Sequence, residues 1–181
     1  MLLQASRSLL LVIDVQSKLA PHIHQASQII NNNCWLLEVA RELGVPIRAT
    51  EQYPAGLGAT VAPIMERLRS EEVLQKMHFS ALKEESIKNH LADLDRQQIV
   101  LTGTEAHVCC FQTASELLEQ GYEVYLVDEA IGSRYQRDKE LALERLKQFG
   151  AQVVSREMVA FEWLEKAGTD TFRRISRGWI R

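Results

Sequence analysis

The sequence is short of cysteine and proline, carries no excess of positive charge, and has no long uninterrupted apolar run. Three cysteines among 181 residues, two of them adjacent at Cys109 and Cys110, make a poor disulfide framework. Neighbouring cysteines bridge only through a strained ring, and one thiol would be left over. A reducing, cytoplasmic setting is therefore expected. Twenty-four acidic against 21 basic side chains give a formal charge of −3, so no overall positive field exists to hold nucleic acid or an anionic membrane. The apolar run at residues 9–13 is short and stops at Asp14, unlike a secretory h-region or a membrane span. The four prolines and nine glycines fall mainly between predicted elements, and no repeat or low-complexity stretch marks a linker. What remains is one globular domain over residues 1–181, with 46% hydrophobic residues for its core and small molecules or other proteins as partners.

Residues 9–13 are apolar throughout, as in a strand buried on both faces of a parallel sheet, and they deliver the carboxylate of Asp14. Helical periodicity over 23–43 ends at Gly44, with Cys34 on the core side, and a second short strand follows at 45–50. Residues 51–60, with Pro54, Gly56 and Gly58, read as a long loop of the kind that carries specificity, before a helix at 61–68. A weaker strand over 72–77 contains Lys76 near its end, and a helix is expected near 84–94. Ile99, Val100 and Leu101 form a fourth strand ended by Gly103, and Phe111, Ala114, Leu117 and Leu118 recur at helical spacing. A fifth strand at 123–127, a helix near 137–149 and a sixth strand at 152–154 complete the alternation. Residues 155–181 read as helical, with Met158, Val159 and Phe161 or Glu162 at turn spacing and a basic aromatic end of Arg173, Arg174, Arg177, Trp179 and Arg181. That end could pack against another subunit or be a solvated helix end; four arginines do not make a nucleic-acid site.

Strands alternating with helices predict a parallel sheet covered on both faces. Sites in such sheets lie beyond the carboxyl ends of the strands. Asp14, Lys76 and Cys109 each fall there and should share one edge. Taken singly they are weak signals: a thiol after a core strand is usually a small hydrophobe, and a lone Asp or Lys at a strand end is usually a capping or surface residue. Together they supply nucleophilic acyl transfer, with Cys109 attacking, Asp14 moving protons and Lys76 holding negative charge. Cys109 falls near a helix start, which is expected to lower its pKa and to help bind an oxyanion. Two other readings compete. A non-catalytic binding or scaffold protein would keep the fold but needs none of the three groups, and a thiol redox pair at Cys109 and Cys110 lacks the Cys-x-x-Cys spacing.

The segments Leu10-Leu11-Val12-Ile13-Asp14-Val15-Gln16, Lys76-Met77-His78-Phe79-Ser80 and Gly103-Thr104-Glu105-Ala106-His107-Val108-Cys109, continuing through Gln112, Thr113, Ala114 and Gly121, resemble the three signature blocks of the isochorismatase-like cysteine hydrolases. Their order and spacing match across nearly the whole chain. Thr50-Glu51-Gln52-Tyr53-Pro54 with Gly56, Leu57 and Gly58, and His107 before the cysteine, are most similar to the isochorismatase domain-containing branch. The resemblance implies a three-layer α/β/α sandwich with a six-stranded parallel, Rossmann-like sheet, and a catalytic triad at Asp14, Lys76 and Cys109, with Cys110 in an apolar slot. It also implies a cis peptide at Thr104–Glu105, an oxyanion hole from the backbone N–H groups of Glu105 and Cys109, and a homo-oligomer. Gln16, Tyr53, His78 and His107 are candidate substrate contacts; loop packing explains His78 and His107 equally well.

Two departures from relatives narrow the chemistry. Nicotinamidases of the superfamily bind a metal through Asp-x-His and further histidines after strand two, where this chain has Glu51-Gln52-Tyr53-Pro54, so neither a metal nor a cofactor is expected. His22-x-His24 has metal-like spacing but precedes a helix without a third ligand. Isochorismatase proper acts on a vinyl ether without a cysteine nucleophile, whereas a cysteine at position 109 points to a small molecule with an amide or related C–N bond.

Overall fold

The computed structural model describes residues 1–180, the last two by backbone alone. Arg181, at the end of the basic aromatic stretch, lies outside the described residues. Ser8–Ile13 forms β1, in which every residue is buried. Leu10 and Val12 pack into a cluster with Leu36, Leu37 and Ala40 of α1 (Ala26–Glu42) and Val159, Ala160 and Trp163 of α7 (Arg156–Leu164). Leu9, Leu11 and Ile13 face the opposite layer, made by α4 (Glu85–Asp93), α5 (Phe111–Glu119) and α6 (Gln136–Gln148). Alternate side chains of one strand thus serve two cores, which is why the run is apolar without a break.

The remaining strands are β2 (Ile47–Gln52), β3 (Val73–Lys76), β4 (Gln98–Thr104), β5 (Glu123–Gly132) and β6 (Gln152–Val154). All pair parallel, in the order β3-β2-β1-β4-β5-β6. This is a doubly wound α/β/α sandwich whose strand order reverses between β1 and β4, where a crevice opens at the carboxyl ends. Among the described residues no helix is long and apolar enough to cross a membrane.

Several elements differ from expectation. The loop after β2 contains the single turns α2 (Pro54–Leu57) and α3 (Ala62–Met65) and a 3-10 turn at Ser70–Glu72, in place of a helix over 61–68. β2 runs on to Gln52, so Glu51 and Gln52 belong to the strand. β5 continues five residues past 127: Asp128 is exposed and Glu129 half-buried, then Ala130 and Ile131 return to the core after a register shift against β4. The C-terminal segment is broken, since Glu165 (φ 56°) and Gly168 (φ 81°) interrupt it between α7 and α8 (Asp170–Ile175), before a wide turn at Ser176–Ile180. Its core anchors are Val159, Ala160 and Trp163, while Met158 and Phe161 are exposed. Trp163 Nε1 donates to Ser8 Oγ at 2.8 Å, fastening this segment to β1.

Candidate active site

Asp14 is the first residue past β1 and sits in the left-handed region (φ 50°), which aspartate tolerates better than most residues. Its carboxylate is fully buried. Oδ1 accepts from the Thr50 hydroxyl at 2.7 Å, and Oδ2 lies 2.7 Å from Lys76 Nζ. Apart from this ion contact, Oδ2 has no hydrogen-bond partner among the described residues. Lys76 ends β3, two strands from β1, a span of about 10 Å at ordinary strand spacing. Only a long side chain crosses it. The ammonium passes over the end of β2, where Gln52 Oε1 accepts from it at 2.7 Å, and the carbonyls of His78 and Phe79 accept at 3.3 and 3.0 Å. Burying two opposite charges stabilises little by itself, but each ion is tolerable there only because the other is present.

The segment after β4 is strapped to Asp14. Gly103 (φ 116°) has its Cα against β1, and a Cβ there would lie 2.1 Å from the Ile13 carbonyl oxygen. The Thr104–Glu105 peptide is cis, and Thr104 Oγ1 donates to the Asp14 carbonyl at 2.6 Å. The Glu105 carbonyl then accepts from the N–H groups of Val108 (3.0 Å) and Cys110 (3.3 Å), winding a π-helical turn over Ala106–Cys110 ahead of α5. This turn buries Cys109 beside Asp14 and Lys76, close enough for both charges to act on its thiol.

The expected low thiol pKa is not found. Burial first, and then the Asp14 charge, push the Cys109 thiol up to about 12, with Lys76 opposing. Cys109 therefore rests as a neutral thiol. Cys110 is completely buried, and burial holds its thiol well above the ordinary range. Cys34 packs against the α1-side core, its thiol donating to the Pro63 carbonyl at 3.4 Å.

The remaining candidates have distinct surroundings. Gln16 is buried; its side-chain N–H groups donate to the carbonyls of Gln52 (2.9 Å) and Gly58 (2.7 Å), and its Oε1 accepts from Gln52 N (2.8 Å). It ties the ends of β1 and β2 to the following loop and keeps no free amide hydrogen for a ligand. Tyr53 is half exposed, with its backbone N–H on the Lys76 carbonyl (2.8 Å). His78 is exposed, its Nδ1 2.9 Å from Glu84 Oε1. The same carboxylate accepts from the N–H groups of Met77 and His78, and these contacts hold its pKa down to about 2. His107 sits on the cysteine turn, with Nδ1 2.9 Å from Ser133 Oγ and Nε2 3.9 Å from Asp138 Oδ2, which fastens that turn to the β5–α6 connection. Glu51 accepts from both Thr60 N and Thr60 Oγ1 through one oxygen. His22 and His24 lie on a 3-10 turn and the segment after it, not on a strand. Among the described residues no three His, Cys, Asp or Glu side chains gather as a metal cage.

Sequence reasoning passed over Thr50 and Gln52, which hold the two charges, and Arg134, whose Nε donates to Glu105 Oε1 at 2.5 Å and whose Nη2 donates to Oε2 at 3.4 Å. The first two are neutral side chains in a stretch that reads as strand and loop. Arg134 follows a strand end that the acidic pair Asp128-Glu129 conceals.

A doubly wound sheet with a buried carboxylate, ammonium and thiol at its switch point places the chain among α/β/α enzymes of the isochorismatase-like hydrolase superfamily. The Isochorismatase domain family matches residues 8–158, and the chain belongs to that family. It is 38% identical over 177 residues to isochorismatase domain-containing protein 2 from Danio rerio, covering 97% of this chain and 88% of the relative. The structure of MAR1 ribonuclease from Caenorhabditis elegans superposes with a TM-score of 0.91 at 32% identity, over 98% of this chain and 91% of that one. The YcaC gene product of Escherichia coli, an octameric hydrolase of unknown specificity, shares the fold with a TM-score of 0.92 at 20% identity, over 99% of this chain and 91% of that one.

Proposed function

We propose that this chain is a metal-independent cysteine hydrolase that cleaves an amide or related C–N bond of a small molecule through a Cys109 thioester. The observation that carries this reading is the buried Asp14–Lys76 pair beside a buried thiol, with Asp14 Oδ2 lacking any other hydrogen-bond partner among the described residues. A thiol at about 12 is a poor spontaneous nucleophile, so its proton must leave as the new bond forms. Asp14 Oδ2 takes that proton while Sγ bonds to the carbonyl carbon, and the carbonyl π pair moves onto oxygen. The N–H groups of Glu105 and Cys109 hold that oxyanion, and Lys76 balances the negative charge once Asp14 is neutral. On collapse the C–N bond breaks, and the departing nitrogen takes the proton from Asp14. Water then attacks the thioester, giving one proton to Asp14, and the proton returns to sulfur as the acid product leaves.

Three side chains at one strand edge are more than a binding scaffold requires. The ribonuclease activity in the name of the Caenorhabditis elegans relative has no electrostatic counterpart here, since a chain of net charge −3 offers little to a polyanion. The unpaired state of all three cysteines supports a cytoplasmic setting, and the octameric Escherichia coli protein of the same fold supports assembly as a homo-oligomer. A screen of small amides with wild type and Cys109→Ala, the latter shown folded by circular dichroism, tests the reading. Activity should vanish in Cys109→Ala, and hydrolysis that survives overturns the thioester mechanism.

A further inference from the structure

Beyond Lys76 the chain leaves the edge of the sheet in a turn, Met77-His78-Phe79, whose two sides carry different partners. On the inner side, Gln52 Nε2 donates to the Met77 carbonyl at 2.7 Å, and Lys76 Nζ donates to the carbonyls of His78 and Phe79. On the outer side, the N–H groups of Met77 and His78 donate to Glu84 Oε1 at 2.8 and 3.1 Å, and the His78 ring places Nδ1 2.9 Å from the same oxygen. Glu84 occupies the N-cap position of α4, yet its side chain accepts nothing from that helix. A capping carboxylate would turn forward onto the first N–H groups of α4. This one reaches back to the turn instead.

These contacts join into a series that runs from the surface to the buried pair. The Glu84 carboxylate accepts from the His78 N–H, and the carbonyl of the same peptide unit, that of Met77, accepts from the Gln52 amide. The oxygen of that amide accepts from Lys76 Nζ at 2.7 Å, and Nζ lies 2.7 Å from Asp14 Oδ2. Both amides point the same way, each with its N–H toward the carboxylate and its oxygen toward the ammonium. The orientation of Gln52 is dictated by its neighbours: a carbonyl only accepts and an ammonium only donates, so the amide nitrogen faces Met77 and the amide oxygen faces Lys76. An amide bonded to an anion is polarised, and aligned amides in a buried setting strengthen one another. The negative charge at the outer end therefore makes the oxygen at the inner end a better acceptor for the ammonium. That charge is present at neutral pH, because the N–H groups of Met77 and His78 hold the Glu84 carboxyl down to about 2. The neighbouring tie lies further along the chain, where Ser80 Oγ donates to Glu116 Oε2 at 2.8 Å and Lys83 pairs with Glu116 Oε1 at 3.2 Å. It fastens the 3-10 turn Ala81–Lys83 to α5 and is not part of the series.

We propose that Glu84 is a positioning residue: through the Met77–His78 peptide and the Gln52 amide it holds the Lys76 ammonium on Asp14. Its effect on turnover rests on the hydrolase reading, while its hold on the ammonium does not. Two measurements read them separately. Protein labelled with heavy-nitrogen lysine gives a Lys76 Nζ signal, identified by its loss in Lys76→Met, whose hydrogen exchange with water is followed by NMR. Exchange should be slow in wild type, fivefold or more faster in Glu84→Gln, and intermediate in Glu84→Asp, which keeps the charge on a shorter arm. Glu84→Gln still offers an oxygen to both N–H groups, so with the fold verified by circular dichroism the change reports the lost charge. Glu116→Gln, the same neutralisation at the neighbouring tie, should leave the Lys76 signal unmoved. For any amide that the wild type cleaves, kcat should fall at least fivefold in Glu84→Gln with KM little changed. An ammonium that exchanges freely in wild type, that is unmoved in both Glu84 variants, or that responds equally to Glu116→Gln overturns the positioning role, as does a wild-type kcat in Glu84→Gln. Exchange as expected in a protein that cleaves no amide overturns only the hydrolase reading.

Discussion

The Cys109 thiol should be nearly inert to a general alkylating agent at neutral pH. Raised to about 12 by burial and by Asp14, against an ordinary thiol near 8.5, it carries about three-thousandfold less thiolate at pH 7.5. Peptide mass spectrometry after timed iodoacetamide treatment, with a cysteine peptide blocked at both ends as reference, should show a deficit of that order. The logarithm of the rate should climb with pH at unit slope up to pH 10, with no plateau. Two substitutions should move it in opposite directions. Asp14→Asn removes the charge that ranks next after burial in raising the thiol, so alkylation accelerates; Lys76→Met removes the group that lowers it, so alkylation slows further. Both variants should lose hydrolysis even though one gains thiolate, because the proton acceptor and the thiol must act together. A titration midpoint below pH 9 for Cys109, or a shift of the same sign in both variants, would refute the reasoning and point to a preformed thiolate.

Two further outcomes follow from the same geometry. Since the folded pKa of Cys109 lies above its unfolded value, its contribution to stability is intact below about pH 8.5 and is lost as pH rises toward 12, at about 1.4 kcal/mol per pH unit; urea unfolding should show about 2 kcal/mol less stability at pH 10 than at pH 8.5 from this group, and Cys109→Ala should flatten the decline. Gly103→Ala forces a Cβ against the backbone of Ile13 at a positive φ and should cost about 3 kcal/mol or more, lowering Tm by about 6–12 °C; a loss below 2 °C in a thermal melt would contradict the close approach of β4 to β1.

The strands at the centre of the sheet are legible in the sequence because β1 and β4 are buried on both faces, which leaves no polar interruption to blur them. Asp14 was legible for the opposite reason, since a charge ending an apolar strand is conspicuous, whereas Lys76 ends a weaker strand interrupted by Gln75 and stood out by falling on the same edge of the sheet. Gln52 and Thr50 were not, since a neutral hydrogen-bonding side chain looks the same whether it supports a buried ion or faces water. β5 was cut short at Val127 because Asp128 and Glu129 read as the start of a loop, yet the strand carries them at the surface and rejoins β4 beyond a register shift. The Cys109 pKa went the wrong way for a related reason. A helix start is visible in a sequence, but the depth of burial depends on what distant segments such as β1, β4 and α4 place in the same core cluster as the thiol.

Lys76 is also the last residue of a four-residue strand at the edge of the sheet, paired on one side only. Such strands are the first to fray, and local opening leaves the rest of a domain folded. When β3 lifts, the ammonium departs with it and Asp14 is left as a lone buried anion, so the ion contact works as a latch whose release is resisted by electrostatics. In the proposed hydrolase, catalytic competence is thereby linked to the docking of the outermost strand. Under the proposed mechanism a molecule with a loosened edge is silent, because the carboxylate that accepts the thiol proton and the ammonium that balances its charge have parted.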